Sequence, residues 1–169
     1  NTLLPADIRV LAVKRVPRRF DARRDAVLKH YRYRIAWGRV LPPWETQRIW
    51  TLSAAPNIEE MRAAAACFEG VHDFRSFALA GHAGTGRRGT VRRIAAVTIA
   101  ACGRHAAIDV VGDGFLRGMV RRMAGSLVEV GRGAAEMRWV TGLLAGTVDA
   151  RIAWHIELSR SASLAKTDL

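Results

Sequence analysis

A chain of 169 residues with an apolar fraction of 50% is long enough for one packed domain and far too apolar for a disordered tail. Its 27 Lys and Arg against 15 Asp and Glu give a net charge of +12, which points to a polyanionic partner, although a solvated arginine-rich surface has the same composition. Cys67 and Cys102 have no metal-ligand spacing, no apolar run reaches membrane-spanning length, and no signal-like leader is visible; a disulfide scaffold is excluded, and the expectation is a cytoplasmic protein without a membrane partner.

In chain order, Ile8 to Val16 alternates loosely and predicts a strand that Pro17 ends. Arg18, Arg19, Arg23 and Arg24 follow. Residues 1–50 hold twelve Lys and Arg against four Asp and Glu, so two thirds of the net charge sits at this end. Leu28 to Trp37 is the clearest strand: Tyr31, Tyr33, Ile35 and Trp37 point one way, and His30, Arg32, Arg34 and Ala36 the other. A turn-rich stretch over Gly38 to Pro43 leads to a short strand within Gln47 to Leu52. Asn57 with Glu60 forms a capping box for an alanine-rich surface helix running through Phe68, with Gly70 at its C′ position. Val71 to Gly89 shows no period and reads as a functional loop with a glycine-rich tip.

Thr90 to Ala101 and His105 to Val111 predict an antiparallel hairpin running into Gly112 to Gly131, GDGFLRGMVRRMAGSLVEVG. On a helical period Phe115, Leu116, Met119, Val120, Met123, Leu127 and Val130 share one apolar arc. Arg117 and Arg121 rise on another side, and Gly118 and Gly125 leave a bare stripe. The expectation is a helix from Gly114 to Val130 that forms one wall of a site. A second helix spans roughly Ala134 to Leu144 and stops near Gly146, and the tail has no period and should fray. The fold class predicted is α/β (α+β), a mixed, mostly antiparallel sheet with helices on one face.

Several side chains suit chemistry. Tyr31 and Tyr33 fit core packing, yet their setting among Lys29, His30, Arg32 and Arg34 also suits base stacking beside phosphate contacts. Arg87, Arg88, Arg92 and Arg93 make either a solvated face or a phosphate-contact cluster. Arg121, if buried, needs an acid or an anionic ligand; otherwise it is a rim arginine with an apolar stem. The five histidines share no ligand spacing, and the glycine-rich tip lacks the lysine of a nucleotide-binding loop, so neither metal nor nucleotide is assigned.

NTLLPADIRV, FDAR with LKHYRY, DFRSF, the arginine-bearing loop before Val91 and, above all, GFLRGMVRRMAGSLVEVG together resemble the later part of the bacterial tRNA pseudouridine synthase A family. The last piece is similar to that family's F-x-x-x-M-V-R-x-x-x-G-x-L-x-x-V-G signature. The resemblance covers about residues 1–149, leaving 150–169 as a divergent tail. It implies a pseudouridine synthase-like fold, a homodimer in the complete protein, and isomerisation of uridine to pseudouridine in the anticodon stem-loop of tRNA, with no cofactor and no metal.

Carried over by motif, Tyr31 corresponds to the tyrosine that stacks on the flipped uracil and helps remove its C5 proton. Arg121 corresponds to a pocket arginine, and Leu127 to the apolar residue packed on the target base. Arg23, Arg88 and Arg92 resemble positions lining the RNA groove, which Lys29, Arg32 and Arg117 extend. The family's aspartate lies in G-R-T-D-x-G-V-H-A, upstream of N-T-L-L-P, and that motif does not occur here; nor does the closing A-P-x-x-G-L-x-L strand. The expectation is therefore a synthase portion inactive alone, or a catalytically inactive RNA-binding remnant.

Overall fold

The computed structural model describes residues 1–22, 25–38, 40–79, 89–148 and 165–167. Its sheet grows outward from β1 (Lys29–Trp37), whose alternation buries Tyr33 and Ile35 and exposes Arg32 and Arg34. β5 (His105–Gly112) runs antiparallel beside it, with Tyr31 opposite Val110, Tyr33 opposite Ile108 and Ile35 opposite Ala106. β4 (Val91–Cys102) pairs antiparallel with β5 across a tight turn in which Gly103 takes φ +57°, and β3 (Gly70–Asp73) pairs antiparallel with β4 beyond it.

On its other edge β1 meets two partners. β2 (Trp50–Leu52) pairs with Ile35–Trp37, the one parallel ladder among the described strands, and β6 (Ala165–Thr167) pairs antiparallel with His30–Arg32. The order is β2-β1-β5-β4-β3, so the sheet is mixed and mostly antiparallel, as the alternation predicts.

Alternation alone does not predict the phase of β4. Ile94 faces the core, but so do Val97 and Ile99, and the parity is reset by a register irregularity between Ile94 and Ala96. The bulge keeps both halves of a twelve-residue strand contributing to one core. α2 (Ile58–Ala66), α3 (Met119–Gly131) and α4 (Met137–Ala145) supply the other side of that core. Met61, Ala64 and Ala65 of α2, Met123, Leu127 and Val128 of α3, and Val140 and Leu143 of α4 are buried in the same cluster as Tyr33, Ile35, Ile108 and Val110. A short helix, α1 (Pro43–Thr46), interrupts the connection from β1 to β2.

Several expectations are corrected. Residues 8–16 form no strand: Leu11 is 94% and Val13 86% exposed, and β propensity without a partner strand yields no ladder. The helix of the GFLRGMVRR segment begins at Met119 rather than Gly114, because Gly118 takes φ +78° and breaks the helical path there. α2 ends at Ala66, and Gly70 opens β3 with φ +103° instead of capping the helix. Its small-residue face is buried, since alanines there let α2 approach the sheet and α3 closely.

The segment read as an irregular loop opens with β3 and a 3-10 turn over Arg75–Phe77, and it anchors Phe74 and Phe77, both fully buried. Its glycine-rich tip lies outside the described residues. Ala165–Thr167 pairs with β1, whereas fraying was expected. Among the described residues no helix is long and apolar enough to cross a membrane.

Asn57 caps α2, its side-chain oxygen accepting from the amides of Glu59 at 3.1 Å and Glu60 at 3.3 Å, but the reciprocal half of the expected capping box is replaced: the Asn57 amide donates to the Gly131 carbonyl at 2.7 Å instead of to Glu60. Asn57→Ala removes both acceptor contacts, and chemical denaturation is expected to show a loss of about 1 kcal/mol with an unchanged m-value.

Candidate active-site cleft

The first turn of α3 and the core-facing side of β1 enclose a cleft of about 550 Å³ lined by Tyr31, Tyr33, Leu79, Phe115, Leu116, Arg117, Gly118, Met119, Val120 and Arg121. Tyr31 is half-buried, and its ring meets Phe115 edge to face, centroids 4.9 Å apart and planes at 81°. That edge-to-face contact fixes the orientation of the Tyr31 ring. Tyr33, two residues on, is 2% exposed; it packs edge to face on Trp50. Its hydroxyl has no hydrogen-bond partner among the described residues. Burial raises the Tyr33 phenol above its ordinary range, while the nearby Arg121 charge pulls in the opposite direction.

Two adjacent arginines of MVRR have different environments. Arg121 is exposed on the cleft and makes no hydrogen bond or ion pair with any described residue. Arg122 is half-buried and donates to the carbonyls of Ala78 and, at 3.4 Å, Ser76; burial lowers its pKa. A desolvated guanidinium here is held by backbone oxygens, and it fastens the turn after β3 to α3. The amide of Leu79 donates to the Arg117 carbonyl at 3.0 Å, completing that attachment.

Gly118 is the point of closest approach. A Cβ built there would lie 2.6 Å from Leu79 Cγ, and its positive φ disfavours any L side chain. Sequence reasoning placed Gly118 on a bare helical stripe open to a neighbouring backbone; the neighbour is instead the Leu79 side chain, and the glycine precedes the helix.

The predicted site residues divide. Tyr31, Arg117 and Arg121 come together on the cleft. Leu127 does not: it is fully buried within α3 and is not among the residues that line the cleft, which include Leu79 and Leu116. Lys29 is half-buried at the start of β1, opposite Gly112. Arg92 is half-buried and donates to the carbonyls of Gly89 at 2.9 Å and Val91 at 2.6 Å. Arg23 and Arg88 lie outside the described residues.

Arg32 is on the opposite sheet face, where it donates from Nε to Asp109 Oδ1 at 2.8 Å and from Nη2 to Oδ2 at 3.0 Å. His30 Nε2 lies 2.5 Å from the same Oδ1. The predicted phosphate contact Arg32 is thus engaged in a bidentate ion pair, though its side chain is half exposed. Spacing could not reveal this, because Asp109 is 77 residues away and becomes its neighbour only through β1–β5 register.

Two consequences are measurable. Partial burial raises the Asp109 carboxyl pKa, but hydrogen bonds and charge from Arg32 and His30 outweigh it, and the net shift is downward. A depressed folded-state pKa contributes stability above the unfolded carboxyl value, near 4, and loses it as pH falls through the folded value. Asp109→Asn should therefore unfold with a weaker acid dependence below about pH 4, followed by far-UV circular dichroism in a pH series. Gly118→Ala should cost about 1–3 kcal/mol, from left-handed strain and the displaced Leu79, measured as a drop in denaturation midpoint.

Comparison with known proteins places this geometry. Residues 64–157, which include β3, β4, β5, α3 and α4, match the family described as tRNA pseudouridine synthase. The tRNA pseudouridine synthase A of Geotalea daltonii is 40% identical over 146 residues, spanning 86% of this chain and 59% of that protein. That of Geotalea uraniireducens is 43% identical over 144 residues, spanning 85% and 58%, and that of Geobacter sulfurreducens is 45% identical over 133 residues, spanning 79% and 53%. The chain covers between half and three fifths of the length of these relatives. The family match includes α3, one wall of the cleft, while β1 precedes it and falls within the longer alignments to the relatives only by their extent along the chain; with more than half of its residues matched, the chain belongs to the tRNA pseudouridine synthase family.

Proposed function

We propose that the chain is the RNA-binding, cleft-bearing portion of a cytoplasmic tRNA pseudouridine synthase that isomerises uridine in the anticodon stem-loop without cofactor or metal and works as a homodimer when complete. The observation that carries this reading is Tyr31, held by Phe115 at the mouth of a base-sized cleft with Arg117 and Arg121 on its rim. The relatives' shared name, tRNA pseudouridine synthase A, supports it.

The chemistry sets the demands. The C1′–N1 bond breaks, the uracil turns, and a C1′–C5 bond forms; the C5 proton departs and N1 gains one, so the net change is an isomerisation. The base must leave its stack, which costs a few kcal/mol, and an aromatic wall compensates with stacking of about 1–3 kcal/mol. Tyr31 offers that wall and a phenolic oxygen to take the C5 proton, while Leu79, Leu116 and Val120 exclude water around the detached ring. Arg117 and Arg121 offer guanidinium groups to phosphate or carboxylate oxygens.

Among the described residues none that lines the cleft is acidic, and the family's G-R-T-D motif is absent from the sequence. In this reading the reaction's carboxylate comes from a segment outside these 169 residues, and Arg121 is the group that receives it. The same absence favours a second reading, a catalytically inactive RNA-binding remnant.

Both readings require salt-sensitive RNA binding. With about four phosphate contacts, affinity for an anticodon stem-loop should fall roughly 50- to 150-fold between about 50 and 200 mM salt, measured by fluorescence anisotropy; weak binding indifferent to salt would refute both. The isolated chain should release no tritium from [5-³H]uridine stem-loop, and release at any rate above buffer would refute the assignment of the carboxylate to another segment.

A further inference from the structure

Tyr33 carries a polar group that the fold leaves unused. Tyr33 lines the cleft and is 2% exposed, and its buried hydroxyl has no hydrogen-bond partner among the described residues. A buried hydroxyl without a partner costs free energy that phenylalanine, with the same ring, would avoid. The charged residues lining the cleft among those described, Arg117 and Arg121, are both donors. Arg121 lies close enough to act electrostatically on the phenol and makes no ion pair with any described residue. Val120 and Arg121 occupy the first turn of α3, a thirteen-residue helix; the Met119 amide already donates to the Leu116 carbonyl at 3.1 Å, which leaves the Val120 and Arg121 amides without an intrahelical acceptor in a turn whose dipole favours negative charge. Gly118 brings no side chain to cap those amides. A phenol O–H, a guanidinium and a helix N-terminus directed at one cleft make a receptor for an anionic oxygen.

We propose that Tyr33 is a positioning residue whose phenolic O–H donates to an anionic oxygen seated between the Arg121 guanidinium and the first turn of α3. The inference deepens the synthase reading and rests on it for the source of that oxygen, which is either the reaction's carboxylate or a phosphodiester of the bound RNA. Tyr31 and Tyr33 then divide the work of one strand: the outer ring faces the base, and the inner hydroxyl orients the anion that acts on it.

The chain has only two tyrosines, so the intact protein labelled with ¹³Cζ-tyrosine gives two resonances, and Tyr31→Phe identifies the Tyr33 line. Sodium acetate and inorganic phosphate are titrated separately against chloride at constant ionic strength. The Tyr33 line is expected to move saturably, with apparent affinity weakened at least fivefold in Arg121→Gln. A response to acetate alone assigns the oxygen to a carboxylate, a response to phosphate alone assigns it to a phosphodiester, and a response to both upholds a general oxyanion seat. No saturable movement, or movement unchanged in Arg121→Gln, overturns the proposal.

Tyr33→Phe separates this role from a structural one. Its melting temperature without added oxyanion should equal or exceed that of the parent, and a lower one would show that the hydroxyl serves packing and overturn the inference. Stem-loop binding across a salt series is read in parallel. Its loss with the Tyr33 response intact counts against the synthase reading alone, and its retention without a Tyr33 response counts against this inference alone.

Discussion

The cleft depends on one steric constraint, the absence of a side chain at Gly118. With φ at +78° and Leu79 Cγ 2.6 Å from where a Cβ would stand, this residue lets the chain turn sharply out of the Phe115–Arg117 segment into α3 while the chain after β3 packs across it. The turn frees Phe115 to brace Tyr31 and starts α3 late enough to leave its first amides at the cleft. Arg122 and the Leu79 amide then hold the two segments together from the buried side. A continuous helix from Gly114 would have carried Phe115 and Arg117 onto helical positions and closed the space between them and β1.

The high positive charge has no single structural meaning. Arg122 is part of the packing and donates to backbone carbonyls. Arg32 is tied to Asp109 on the far face of the sheet, where His30 shares the same carboxylate. Arg117 and Arg121 remain exposed on the cleft. Two neighbours in sequence, Arg121 and Arg122, differ because they project from different sides of one helix, one toward the cleft and one toward the turn after β3. Net charge therefore predicts an anionic partner better than it predicts which arginines meet it.

What could be read in advance was what depends on local period. The alternation of Leu28 to Trp37, the hairpin from Thr90 to Val111, the Asn57 cap and the apolar arc of the GFLRGMVRR segment all survive within a few residues. What could not be read depends on contacts made across the fold. The bulge at Ile94 to Ala96 shows only when both ends of β4 must face one core. Ile8 to Val16 has strand-like composition, but the described sheet offers it no ladder. Leu127 lies on the apolar arc as expected, and the same burial that places it in the core removes it from the cleft. Tyr33 is a candidate by its place in the alternation, and only the fold shows that its ring is core, that the residue lines the cleft, and that its buried hydroxyl has no hydrogen-bond partner among the described residues.

That combination bears on how such a site is organised. A core position that wanted only an aromatic ring would be better served by phenylalanine, since desolvating a hydroxyl without a partner lowers stability. Stability alone therefore does not account for tyrosine at position 33. Among the described residues the lining supplies two cations and apolar surface but no acid, and cations beside a helix N-terminus repel one another and its dipole until an anion joins them. The cleft is in this sense electrostatically one-sided, with its aromatic wall and its cations set by β1 and α3. In the synthase reading the missing half of the balance is the reaction's own carboxylate, and the same surplus of donors that costs the isolated chain stability would favour docking of the segment that carries it.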